Sequence, residues 1–243
     1  MYKYLVLFFN PLILLVGFWL FFYYQSGLVW LVVLSLLAIL LTGRILSQRY
    51  FWKFKLLWFN LMVVYIAELL FLLLLTSETV RYLSSFILVL AWLVLWILLK
   101  KYFQVIKDKD TGNKDYLAFS RFFYYLGFWF LSSSLYSLII FLNLSALSCL
   151  FLMLLATFLW MQDIFKSAEN INKYYVWFAM FLLAQALAAL YFLPVSFYIA
   201  GTIATLWFFF IIDNIVSQLK YFQLYLGLFL LSIFLLLGTS IIT

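Results

Sequence analysis

Hydrophobic positions in this chain run together in long blocks with short polar breaks, and they neither alternate nor keep to one helical stripe. Nine blocks can be drawn, at roughly 4–24, 28–43, 56–76, 83–99, 117–142, 146–163, 174–193, 196–213 and 222–242. Their lengths gather around the ~20 residues that a helix needs to cross a hydrocarbon core of ~30 Å. Inside lipid every backbone N–H and C=O must be bonded within the segment, which makes the helix the structure for such blocks. The pattern therefore predicts an all-α, polytopic transmembrane helical bundle of about nine helices. Composition agrees. Of 243 residues, 70 % are hydrophobic and 9 % charged, against about 25 % charged in soluble domains. No shift in composition divides the chain, so a single integral membrane domain over residues 1–243 is expected. The first block is long and aromatic, and no small-residue cleavage site follows Tyr24, so it is read as a helix that stays and not as a cleavable signal.

The breaks alternate in character. Those at 25–27, 77–82, 143–145 and 194–195 are short and nearly uncharged, whereas those at 43–55, 100–115, 162–173 and 213–221 are longer and carry the basic residues. With Lys3 and Arg121 counted on the second side, every one of the 15 lysines and arginines except Arg81 falls there. Basic residues concentrate in cytoplasmic loops. The N-terminus and the charged loops are therefore assigned to the cytoplasm and the C-terminus to the outside (N-in/C-out), in a cell (inner or plasma) membrane. Read this way, the net charge of +7 is an orientation signal and does not call for nucleic acid. The layout becomes four hairpins plus one final helix. A basic-aromatic pair recurs at helix entrances, as Lys3-Tyr4, Arg49-Tyr50, Lys173-Tyr174 and Lys220-Tyr221. Lysine snorkelling and interfacial tyrosine favour that pair on any such helix.

Two features break the apolar background. The stretch YLAFSRFFYYLGFWFLSSSLYSLIIFLN, 116–143, holds Arg121, Tyr125, Ser132, Tyr136 and Asn143 within about 60° of one another at ~100° per residue. Lipid cannot satisfy such a hydrogen-bonding stripe, so it should face other helices, as polar glue between them, or a wet cavity. The second feature is Glu68, midway along LLWFNLMVVYIAELLFLLLLT. A charge at that depth costs about 3 kcal/mol on insertion scales, so this carboxyl should be protonated, paired or wetted. Asn60 and Tyr65 lie within about 80° of it around the helix. By type its partner is Arg121; by depth it is Gln185, midway along the seventh block. Glu68, Asn60, Tyr65, Arg121, Tyr125, Ser132, Tyr136 and Gln185 are thus the candidate ligand-binding residues.

Other chemistry is thin. Asp163, Glu169 and Asp213 gather at the cytoplasmic ends of helices, where carboxylates could hold Mg²⁺ against a pyrophosphate. KDKDTGNKD, 107–115, fails the EF-hand spacing at Gly112, Asn113 and Phe119 and reads as a solvated turn. The one cysteine, Cys149, sits in an apolar run and permits no intramolecular disulfide. The absence of histidine removes the commonest general base and metal ligand. No nucleophile elbow, zinc-protease, paired-cysteine, Walker or lipidation motif occurs, so no catalytic residue is assigned and no cofactor is expected. Ala184/Ala188, with Ala200/Ala204 and Gly201/Thr205, are small-residue pairs that let the seventh and eighth helices approach closely across a turn begun by Pro194. Asn10-Pro11 should kink or delay the first helix.

In helix number, orientation and long cytoplasmic loops, the chain resembles the membrane prenyltransferases of the UbiA type. That resemblance implies two aspartate-rich motifs, after the second and sixth helices, holding Mg²⁺-pyrophosphate. Here the second helix ends in TGRILSQRYFWK with no acid, and the sixth in QDIFKSAEN with only Asp163 and Glu169. Three function classes remain. The first is a small carrier or membrane subunit that binds a lipidic or amphipathic small-molecule ligand between helices. The second is a prenyltransferase-like enzyme at the cytoplasmic face, using Mg²⁺ at Asp163, Glu169 and Asp213. The third is a scaffold whose aromatic helix faces pack on another membrane protein.

Overall fold

The structure is a computed structural model and describes residues 2–23, 28–107, 114–167, 174–193, 195–216 and 222–241. All of its regular structure is helical: α1 (Tyr2–Tyr23), α2 (Leu28–Ser47), a 3-10 helix (Gln48–Phe54), α3 (Lys55–Leu74), α4 (Glu78–Lys107), α5 (Lys114–Leu142), α6 (Ala146–Ser167), α7 (Tyr174–Tyr191), α8 (Phe197–Val216) and α9 (Phe222–Ile241). Six stretches are long and apolar enough to cross a membrane: Val32–Leu74, Glu78–Gln104, Arg121–Leu142, Ala146–Phe165, Tyr174–Tyr191 and Phe197–Val216. The first contains both α2 and α3, which fold back on each other; α1 and α9 carry shorter apolar stretches, Phe9–Leu20 and Phe229–Gly238. Burial runs opposite to that of a soluble protein. Asn10, Thr42, Asn60, Glu68 and Ser132 are buried, while Trp30, Leu147, Phe192 and Phe234 are exposed. Large apolar surface of this kind has to be covered by something other than water. These helices point to an integral membrane protein.

The helices gather into two compact units, Met1–Phe123 and Tyr124–Thr243, with the boundary inside the continuous helix α5. In the first unit, α1 and α2 lie antiparallel. Asn10 Nδ2 donates to the Ala38 carbonyl at 2.9 Å and to Thr42 Oγ1 at 2.7 Å, and seven residues on, Gly17 meets Ser35. The same logic sets α3 against α2, because Gly43 abuts the Trp58 indole and Ser35 bonds Tyr65. On α4, Trp92 and Trp96 stand one turn apart and meet Tyr65 and Trp58 of α3. Trp19 Nε1 of α1 donates to Ser85 Oγ of α4 at 3.3 Å.

The later part of α5 is the centre of the second unit. Its residues 131–137 are all buried. Toward α6 it offers Tyr124, which stacks on Trp160; toward α7, Tyr136; toward α8, Tyr125 and Phe128, whose rings meet Phe208. The closest approach is at Gly201 of α8, where an added Cβ would lie 2.1 Å from Ser133 Oγ and 2.9 Å from the Ser133 backbone nitrogen. Phe229 seats α9 against Trp207 and Phe210 of α8.

Several element boundaries differ from expectation. The break at 43–55 is not a loop: α2 continues to Ser47, whose hydroxyl bonds the Gly43 carbonyl, and a 3-10 helix follows directly. Gln48 takes φ 50 there, so the chain turns through one left-handed residue instead of an extended connection. Likewise α4 starts at Glu78, because Ser77 accepts the Val80 N–H at its first turn. Pro11 neither delays nor ends α1, which runs through it. Asn143 does not belong to the stripe on α5; it is exposed, past the helix end, at φ 51. The small residues of α8 serve two neighbours, since α7 and α8 pack together while Gly201 faces Ser133 of α5. Pro194 and residues 108–113 lie outside the described residues.

Candidate functional site

Glu68 is the one acid buried without any exposure among the described residues. It projects from the middle of α3, and α4 supplies its partner: Trp92 Nε1 donates to Glu68 Oε2 at 2.7 Å. The other carboxylate oxygen, Oε1, is buried and has no hydrogen-bond partner. An indole N–H is a single donor and brings no charge, so this contact orients the carboxyl and leaves half of its bonding capacity free. Arg121, in the same unit, does not pair with it. Arg121 is half-buried in the first unit with its Nε unbonded, and Gln185 is exposed on α7 in the second.

The surroundings of Glu68 are aromatic. Tyr65, within electrostatic range of the carboxylate, bonds Ser35 and meets Trp92 edge to face at 6.2 Å. From Trp92 the ring contacts continue to Trp96 at 5.8 Å, Trp58 at 6.4 Å and Phe103 at 5.7 Å. The indole nitrogens of Trp58 and Trp96 are also buried without partners. A buried donor left unbonded costs about 1–3 kcal/mol. One acceptor and two donors with spare capacity thus lie buried in the first unit. Asn60, on the same helix, is buried with a hydrogen-bonding or electrostatic partner of its own.

The α5 stripe is used differently. Ser132 Oγ donates to the Phe128 carbonyl at 2.7 Å and lies 3.3 Å from the Gly201 carbonyl of α8. The Tyr136 hydroxyl donates to the Leu187 carbonyl of α7 at 2.9 Å. Tyr125, half-buried, presents its ring edge-on to Phe208 and Phe209. Ser133, Ser134 and Ser137, which lie off the stripe, are equally buried. Ser132 and Tyr136 tie helices together through backbone carbonyls, Ser134 bonds the Phe130 carbonyl of its own helix, and the hydroxyls of Ser133 and Ser137 have no partner.

Two of the three acids proposed for Mg²⁺ lie within the described residues. Asp163 Oδ2 accepts the Tyr124 hydroxyl at 2.6 Å, Asp213 is half-buried at the end of α8, and Glu169 lies outside the described residues. Among the described residues no three His, Cys, Asp or Glu side chains converge. Asp163 is engaged by a phenol. Cys149 is a buried free thiol. A groove of about 710 Å³ runs between α6 and α7, lined by Leu147, Leu150, Phe151, Leu154 and Ala184. Such hydrocarbon surface is what acyl chains would cover.

Sequence reasoning singled out Glu68, Tyr65 and Asn60 and missed the tryptophans. The spacing of Trp92 and Trp96, one turn apart on a helix antiparallel to α3, was the available signal. Comparison of the chain with family models, with curated proteins and with solved structures found no match.

Proposed function

We propose that this protein is a small carrier or membrane subunit that admits an amphipathic ligand among the helices of its first unit. Glu68 is the polar element of the site. The observation that carries this reading is the carboxyl itself: wholly buried, held by one indole N–H, with its second oxygen free. Intramembrane acids are costly and mark ion, proton or substrate paths by default, and midplane sites between helices are where carriers bind their cargo. A purely structural acid would be expected to have both oxygens bonded, as buried polar groups generally are. The unpaired indoles of Trp58 and Trp96 extend the same polar path along the first unit. The N-terminus and the basic turns face the cytoplasm in this reading, following the distribution of lysine and arginine.

The test is water access. Single cysteines at Asn60, Glu68, Ser132 and Tyr136, in a Cys149→Ala background, are exposed to a membrane-impermeant maleimide in inside-out and right-side-out vesicles. A site open to ligand labels at 60 or 68 from one side, while 132 and 136, sealed among serines and backbone, stay silent. Silence at all four, with a control cysteine at Lys53 labelling normally, would leave a dry structural acid and remove the carrier.

A further inference from the structure

The left-handed turn at Gln48 builds a second polar site at the basic end of the first unit. Where α2 passes into the 3-10 helix, a pocket of about 120 Å³ is lined by Ser47, Gln48, Arg49, Lys100, Phe103 and Gln104. Lys100, on α4, is only 9 % exposed as a residue, low for a lysine. Arg49 stands at the rim; its guanidinium lies 5.0 Å from the Tyr50 ring centre, and Nη2 donates to the Tyr50 hydroxyl at 3.0 Å. Phe103 packs against Phe54 at 5.2 Å and Trp58 at 5.7 Å, which makes an apolar wall. Among the described residues lining the pocket two are cations and none is an acid. Arg44, Lys53, Lys55 and Lys101 add positive charge nearby in sequence.

We infer that this pocket binds a phosphate group, with the Lys100 ammonium and the Arg49 guanidinium as cations and the amides of Gln48 and Gln104 as additional donors. Size selects the ligand class. At ~30 Å³ per water the pocket has room for about four waters, which suits one phosphate and falls far below the ~300–1,000 Å³ of sites for whole drug-sized ligands. Chemistry selects it too. Arginine offers a planar fork of donors and lysine a point charge, the pairing that phosphate oxygens accept. A loop that only obeyed the orientation rule would leave its cations in water. Here Lys100 lines the pocket beside Phe103 and its ring neighbours. The site is independent of Glu68, and either can fail without the other.

A phosphate can arrive as a lipid headgroup or as a free ion, and the experiment separates the two. The full-length protein is purified in dodecyl maltoside, which carries no phosphate. Retention of phosphatidic acid is measured by native mass spectrometry against diacylglycerol of the same chains, and inorganic phosphate is titrated by thermal shift against chloride at constant ionic strength. Preference for phosphatidic acid with no response to inorganic phosphate assigns a headgroup site; a response to inorganic phosphate assigns a site for the free ion. In either case Lys100→Met and Arg49→Gln each weaken binding about tenfold, the loss expected for one charge-assisted contact, while Lys101→Met, an exposed neighbour, leaves it within about twofold. Lys100→Arg, which restores a cation, recovers most of the binding, and Arg49 lies at an exposed position where substitution is tolerated in folding. Equal retention of phosphatidic acid and diacylglycerol, with no response to inorganic phosphate, overturns the proposal. So does binding unchanged in both Lys100→Met and Arg49→Gln.

Discussion

The first unit buries a carboxyl among indoles, whereas the buried side-chain groups described in the second are mainly hydroxyls, of which Ser133 and Ser137 are unbonded. In the second unit the hydroxyls of Ser132, Ser134, Tyr136, Thr157 and Thr205 donate to backbone carbonyls, on their own helix or the next. In the first, Glu68 meets a side chain, Trp92, and keeps an oxygen free, and two further indoles have N–H groups to spare. A hydroxyl on a carbonyl that is already within a helical ladder adds glue at little cost and offers nothing to a ligand. A carboxyl and unpaired donors do offer something, and keeping them buried costs stability. The contrast extends to the glycines. Gly201 admits the backbone of α5, whereas Gly17 admits the hydroxyl ends of Ser35 and Tyr65.

That contrast predicts a ranking. Gly201→Val should be the most damaging change, on the order of 3 kcal/mol, because the Ser133 backbone cannot yield; thermal unfolding in detergent reads it directly, and an unshifted melting temperature would mean α5 and α8 are not in close contact. Glu68→Leu should cost roughly 2 kcal/mol by leaving the Trp92 N–H unbonded. Glu68→Gln retains an acceptor for Trp92 and should stay within about 0.5 kcal/mol of the native protein, while losing any activity that needs an acidic proton; equal destabilisation by Leu and Gln would show that charge, not the Trp92 bond, holds the site. Gly17→Ala should cost less than about 1 kcal/mol, because hydroxyl ends can move by a few tenths of an ångström. Smallest of all, Tyr136→Phe should cost about 0.6 kcal/mol, the usual worth of an interhelical hydrogen bond in a membrane protein. A loss several times larger would make Tyr136 more than glue.

Much of the architecture was open to inspection before any coordinates. Long apolar blocks dictate helices because lipid offers the backbone no partner, and Glu68 stood out because an acid is rare in such a block. The edges were less legible. Hydropathy ends a block at the first charge, but α4 begins at Glu78 and runs beyond Lys100 and Lys101, since snorkelling lets lysines remain on a helix. The 3-10 turn at Gln48 had no glycine to announce it.

Partnership was decided elsewhere. Angles around a single helix order its residues but say nothing of what stands opposite. Arg121 therefore matched Glu68 by charge, while packing placed Trp92 there instead. On α5 all the serines from Ser132 to Ser134 are buried, on and off the stripe alike, because this part of α5 has neighbours on several sides. Lys100 and Arg49 lie far apart in the chain, and only the reversal between α2 and α3 and the antiparallel run of α4 line one pocket with both. Local chemistry is written in each segment in turn. Which segments meet depends on shape and close packing summed over the whole unit, and that sum exists only once the helices are assembled.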